Sequence, residues 1–136
     1  MDETVEVQLA RVIIQEKSEH QYIHLRERIG ERSFPIVIGF NEAWEIHRKL
    51  RKIRAPRPMT HDLIGRVIRR LDHRLRRIVI TELKDNTFYA VLVLAQQDSE
   101  DERVVDCRPS DAIALAVQTG APIFVAKKVL DAVSPD

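Results

Sequence analysis

The chain has 136 residues, long enough for one domain whose core needs no disulfide or metal to hold it. It is 44% hydrophobic and 32% charged with a net charge of +1, which is the composition of an ordinary globular domain and not of a fibrous or disordered one. One cysteine, Cys107, excludes an intramolecular disulfide and any cysteine-rich zinc site. The start Met1-Asp2-Glu3-Thr4 has no apolar signal region, and no apolar run reaches the ~18 residues of a membrane span, so a cytoplasmic protein without a membrane partner is expected.

In chain order, Val5 to Ile14 alternates and then turns continuously apolar, which predicts a first strand. Gln15–Gln21 connects it to a second strand over Tyr22–Leu25. Phe34-Pro35-Ile36-Val37-Ile38 predicts a short third strand, with Pro35 at its start or at a sheet edge because it has no N–H to donate. Asn41 is the expected N-cap of a helix whose apolar stripe is Ala43, Ile46, Leu50 and Ile53. Ala55-Pro56-Arg57-Pro58 stops that helix, and Thr60 is expected to cap a second one with core face Leu63, Ile64, Val67, Ile68 and Leu71. Ile78–Ile80 and Phe88–Leu94 predict a hairpin closed around Lys84-Asp85-Asn86, and Val104-Val105 a brief strand. Ser110 is the expected cap of a third helix ended by Gly120, followed by a strand at Pro122–Val125 and a short helix at Lys127–Val133. Strands and helices mix without strict alternation, which predicts a single α+β domain with a mixed β-sheet and covering helices.

The small net charge hides an asymmetry. Twelve Lys and Arg side chains lie between His47 and Arg77 against Asp62 and Asp72 alone, whereas Glu82–Asp111 is predominantly acidic. Such a basic stretch suits a polyanion, and compensation between the two regions explains it equally well.

Two blocks concentrate chemistry. Pro56-Arg57-Pro58-Met59-Thr60-His61-Asp62 and Asp106-Cys107-Arg108-Pro109-Ser110-Asp111 each place an Arg, a hydroxyl and a carboxylate at the start of an apolar helix. Helix N-termini favour anions, so two that converge would make a pocket for phosphate. His61 can serve as a general base near neutral pH, whereas Thr60, Ser110, Asp62 and Asp111 are equally accounted for as caps and first-turn acids. Glu42, Asp62, Asp106 and Asp111 are enough carboxylates for a hard cation such as Mg²⁺ or Mn²⁺. Cys107 reads as an inert filler. Trp44 and Tyr89 can stack on bases, but aromatics at such positions more often pack in a core or interface. No Gly-rich phosphate loop, nucleophile elbow or cofactor fingerprint is present, so no organic cofactor is expected. Glu82-Leu83-Lys84 matches the acid-x-Lys spacing of many metal-dependent nucleases, but the triplet is too common to carry weight.

The ordered set Pro35-Ile36-Val37-Ile38-Gly39 with Glu42-Ala43, then Pro56–Leu63, Thr87-Phe88-Tyr89-Ala90, Asp106–Ala116 and Pro122–Val125 resembles the bifunctional nuclease family over about Val5–Val133. The resemblance implies a small α+β domain that cuts both DNA and RNA and often self-associates, so a homo-oligomer, a dimer first, is expected. It carries over Glu42, Arg57, Thr60, His61, Asp62, Asp106, Arg108, Ser110 and Asp111 as candidates. Cys107, Asp72-His73 after helix two and the Arg-rich stretch depart from the family pattern.

Two readings of function follow. In the first, a metal-assisted phosphodiesterase of weak sequence preference holds backbone phosphates with Arg57, Thr60, Ser110, Arg66, Arg69 and Arg70. Glu42, Asp62, Asp106 and Asp111 bind the metal, and His61, Asp62, Asp106, Arg108 and Asp111 form the catalytic group. In the second, the same Arg and Asp residues pair with one another and the protein is a binding or assembly module. A functional pocket would leave several of these carboxylates unpaired and facing solvent.

Overall fold

The computed structural model describes residues 3–135. Three strands open the chain, β1 (Thr4–Ile13), β2 (Gln21–Glu27) and β3 (Ser33–Ile38), followed by helices α1 (Phe40–Leu50) and α2 (Thr60–Arg70). Strands β4 (His73–Lys84), β5 (Thr87–Gln96) and β6 (Glu102–Cys107) come next, then α3 (Pro109–Thr119), β7 (Ile123–Ala126) and α4 (Lys127–Val133). The seven strands form one mixed sheet in the order β3-β2-β1-β7-β4-β5-β6, with β4 and β7 the parallel neighbours and the others antiparallel. The α+β class expected from the pattern is therefore the one observed.

Register shifts in β1 between Leu9 and Arg11, and in β4 between Leu75 and Arg77 and between Ile80 and Glu82, bend the sheet. The bending brings its two ends together: Phe34 of edge strand β3 stacks on Phe88 of β5, ring centroids 5.9 Å apart. Inside the curl lies α3, whose Ala112 to Leu115 are all essentially buried. Its alternation of small and large side chains lets a helix sit close to Ile23, Leu25, Ile78 and Ile80 of the strands. The turn between β4 and β5 places Asp85 (φ 50°) and Asn86 (φ 63°) in the left-handed region, the backbone of a two-residue hairpin turn that Asp and Asn tolerate.

Several local expectations need correction. The caps are Gly39, Met59 and Arg108, not Asn41, Thr60 and Ser110. At α2 and α3 the first orphan N–H is met from inside the helix: Asp62 accepts from the Met59 N–H (2.9 Å) and Asp111 from the Arg108 N–H (3.3 Å). Pro109 has the φ of a first helical residue, which moves Ser110 one step into the helix. Helix α1 ends at Leu50, where Lys52 at φ 55° turns the chain away, so Leu50 and Ile53 are exposed and do not extend the core stripe. On α2 the residues that press on α3 are His61 and Gly65, while Leu63, Val67 and Leu71 face solvent. Strand β6 is longer than the Val104-Val105 pair suggested.

Candidate functional site

The two sequence blocks meet. His61, in the first turn of α2, bonds through Nε2 to Oδ1 of Asp111 in the first turn of α3 at 3.0 Å. Beside it, the Gln118 amide donates to the His61 carbonyl (3.2 Å) and lies 2.5 Å from where a β-carbon at Gly65 would stand, so a larger residue there would push that amide aside. Asp111 also takes the Arg108 fork, Nε to Oδ2 and one terminal nitrogen to Oδ1, both at 2.9 Å. Burial works against the charge of Asp111, but Arg108 and His61 outweigh it and hold its pKa below the ordinary carboxylate value. Arg108 lies 3.6 Å from Glu42 at the start of α1, and the other face of the His61 ring looks toward Glu45 at 3.9 Å.

A second network begins at Glu45, which holds the Arg48 fork at 2.7 and 3.1 Å. Arg48 reaches Asp62 at 3.2 Å, and Lys49 also bonds to Asp62. Burial again opposes ionisation, yet Lys49, the Met59 N–H and Arg48 hold the Asp62 pKa at about 2. One chain of alternating charges thus ties the starts of α2 and α3 to the length of α1, from Glu42 in its first turn to Arg48 and Lys49 in its last.

Two clefts flank this chain. The larger, about 770 Å³, lies at the seam where β3 meets β5 and the end of β6. Pro35–Gly39, Asn86–Tyr89 and Asp106–Asp111 line it together with Glu42. Asp106 is exposed and has no ion-pair or hydrogen-bond partner among the described residues. Ser110 is buried at the floor. Cys107 beside it is pushed up to about 12 by burial and by Asp111 and Asp106, so it is an inert thiol.

The second cleft, about 490 Å³, is walled by Arg48, Arg54, Arg57, Arg66 and Arg69, with the rigid Ala55-Pro56-Arg57-Pro58 turn on one side and Gln118 below. Its one acid is Asp62, already neutralised. Arg54, Arg57, Arg66 and Arg69 have no acid partner among the described residues. A shallow continuation is lined by Arg66, Arg69 and Arg70.

The site residues expected from sequence therefore divide between two clefts. Glu42, Asp106, Arg108, Ser110 and Asp111 share the larger cleft, Arg57, Asp62, Arg66 and Arg69 the second, and His61 lines neither. The four carboxylates do not form one ligand set: Asp62 lies in the other cleft, and Asp111 and Asp62 are engaged by cations. Among the described residues no group of three His, Cys, Asp or Glu side chains is arranged to hold a metal, so as they stand they do not fit one. Sequence reasoning missed Glu45 and Gln118, and singled out Arg54 only as one member of the basic stretch. Glu45 was legible only as one acid on the polar face of α1, since its partners His61 and Arg48 meet it through tertiary packing. The acid-x-Lys triplet lies elsewhere: Glu82 bonds to Lys128 at 2.7 Å. The basic and acidic regions do compensate in part, through Arg76 and Arg77 on Glu102 and Arg76 on Glu100.

Comparison with known proteins adds the last observation. The family model described as Bifunctional nuclease domain matches residues 23–136. An uncharacterized protein of Mycobacterium tuberculosis is 37% identical over 125 residues, covering 92% of this chain and 73% of its own. Bifunctional nuclease 1 of Oryza sativa subsp. japonica and Bifunctional nuclease of Oryza minuta are each 29% identical over 118 residues, 85% of this chain but only 36% of theirs. The match spans most of the sheet, all four helices and both clefts, and the chain belongs to the bifunctional nuclease domain family.

Proposed function

We propose that the chain holds nucleic acid in the arginine cleft and hydrolyses phosphodiester bonds of DNA and RNA with little sequence preference. The observation that carries this reading is the convergence of Arg54, Arg57, Arg66 and Arg69 on one concavity with no acid partner among the described residues. Guanidinium forks match phosphate oxygens, and phosphate contacts position a strand without reading its bases.

The reaction belongs in the larger cleft. Asp106 is the carboxylate there that no cation engages among the described residues, and it is suited to take a proton from an attacking water. Arg108, 62% exposed at its side chain, rests on Asp111 through Nε and one terminal nitrogen and faces Glu42 at 3.6 Å with the other. A phosphate that draws it from Glu42 would have its growing negative charge countered in the transition state. Asp111 and the buried His61 behind it are positioning residues that aim Arg108. The test is cleavage of labelled single- and double-stranded DNA and RNA in Mg²⁺, Mn²⁺ or EDTA, beside folded Asp106→Asn and Arg57→Ala variants. Cutting that falls in both variants supports the reading; cutting that is unchanged in both overturns it.

A second reading, a non-catalytic binding module, is favoured by one observation: Asp62, Asp111 and Arg108 are all paired within the chain. It predicts that Asp111→Asn melts the protein, and that the wild type binds nucleic acid without cutting it.

A further inference from the structure

Helix α1 carries an aromatic ridge that the core does not use. Its buried residues Ala43 and Ile46 pack into the core, whereas Phe40 (41% exposed), Trp44 (42%) and His47 follow one another up a different face at four- and three-residue spacing. The Trp44 ring meets Phe40 edge to face with centroids 6.1 Å apart, and meets His47 in the same way at 5.1 Å. Two such contacts hold the indole in one orientation while leaving much of it open. A large aromatic side chain that is positioned but not buried offers a surface for stacking.

The ridge adjoins the arginine cleft. Arg48, one wall of that cleft, follows Trp44 by four residues, so the two are neighbours on the helix surface with β-carbons roughly 6 Å apart. The Arg48 side chain donates to the Ile53 carbonyl at 2.8 Å, and the Ile53 N–H donates to the Arg48 carbonyl at 3.0 Å. These bonds fold the turn after α1 back onto the same spot, and it leads into Arg54, another wall of the cleft. The charge around the ridge has the sign that a phosphate chain needs. Arg51, Lys52 and Arg54 have no acid partner among the described residues, and Glu45, the acid beside Trp44, is taken by the Arg48 fork. A polynucleotide brings a base for the ring and phosphates for the neighbouring arginines, whereas an apolar protein surface would leave those cations unanswered.

We infer that Trp44 is a stacking platform for an unpaired base of the strand whose backbone lies in the arginine cleft. The assignment rests on the proposed binding of nucleic acid in that cleft, and it adds a selection that arginines alone do not make. Phosphate contacts hold single strands and duplexes alike, whereas a base inside a duplex has both faces covered by its neighbours and none to give the indole. The chain therefore prefers single strands, DNA or RNA, with little regard to sequence, because every base has a face to stack.

Trp44 is the one tryptophan of the chain, so its fluorescence reports on the platform directly. The test is titration of the purified protein at low salt with a mixed-sequence DNA strand, its duplex and an abasic strand of the same length. Fluorescence polarisation of each labelled DNA measures binding alongside. Quenching of Trp44 is expected with the single strand and little with the duplex or the abasic strand, although all three bind. Trp44→Leu, shown to be folded by its melting curve, is expected to bind the single strand about tenfold more weakly and the duplex as before, and Trp44→Tyr to recover most of that loss. Binding of the single strand without quenching, or an equal loss for single strand and duplex in Trp44→Leu, would overturn the inference and leave the arginine cleft standing. Binding of none of the three would overturn the proposed function itself, and the platform with it.

Discussion

Salt dependence is the most quantitative consequence of the arginine cleft. Four arginines there, Arg54, Arg57, Arg66 and Arg69, lack an acid partner among the described residues, so each is available to displace a counterion from a phosphate. Four such contacts give a slope of log affinity against log salt of about −2.8 for a single strand and about −3.6 for a duplex. Raising salt from about 50 to about 200 mM then weakens binding roughly fifty-fold for a single strand and roughly 150-fold for a duplex. Replacing Arg57 by Ala should flatten the slope by about 0.7–0.9 and lower affinity by a similar factor on every sequence tested. Fluorescence polarisation with a labelled oligonucleotide at several salt concentrations measures this directly. Arg76→Ala is the control, because Arg76 is already engaged by Glu100 and Glu102 and should leave the slope unchanged. A slope near zero, or one altered as much by Arg76→Ala as by Arg57→Ala, would refute the reasoning.

Other consequences concern the ion-pair chain. Asp111→Asn weakens the Arg108 fork and the His61 contact at a half-buried site and should cost about 2 kcal/mol, a fall in Tm of roughly 6 °C by calorimetry. The Asp62 pKa is depressed from an ordinary 3.8 to about 2, so its stabilisation is fully present above about pH 4 and disappears as pH falls through about 2. Discounted for a side chain about one-quarter exposed, that amounts to about 1–2 kcal/mol, and Asp62→Asn should flatten acid unfolding over that window in a denaturant titration against pH. Cys107, held at about 12, should react with a thiol reagent at pH 8 far more slowly than a free cysteine until the protein is unfolded.

Much of this architecture was legible in the chain because it rests on local rules. Alternating strands, the Asp85-Asn86 turn, the Gly120 stop and the two proline-bearing helix starts all have short-range causes. The convergence of the two blocks was legible as chemistry, and His61 on Asp111 bears it out. What sequence could not reveal is set by packing between distant elements. The arc of α2 looked like a core face, but only part of it meets α3 and β4, since Gly65 and His61 define the contact. The four carboxylates looked like one metal site, but the curl of the sheet puts Asp106 on a seam while Lys49 and Arg48 draw Asp62 into the other cleft. Glu45, the link between the two ion-pair networks, has no signature beyond its place on a polar face.

The central claim is that this fold cuts nucleic acid held by the arginine cleft. Its most direct test is cleavage of a labelled single strand, in Mg²⁺, Mn²⁺ and EDTA, by wild type, Arg54→Ala/Arg57→Ala and Asp106→Asn, each shown to be folded. The account predicts cutting by the wild type, recovered at higher substrate concentration in the double Arg variant and lost at all concentrations in Asp106→Asn. Equal cutting by all three proteins, or none by the wild type in any buffer, would contradict it.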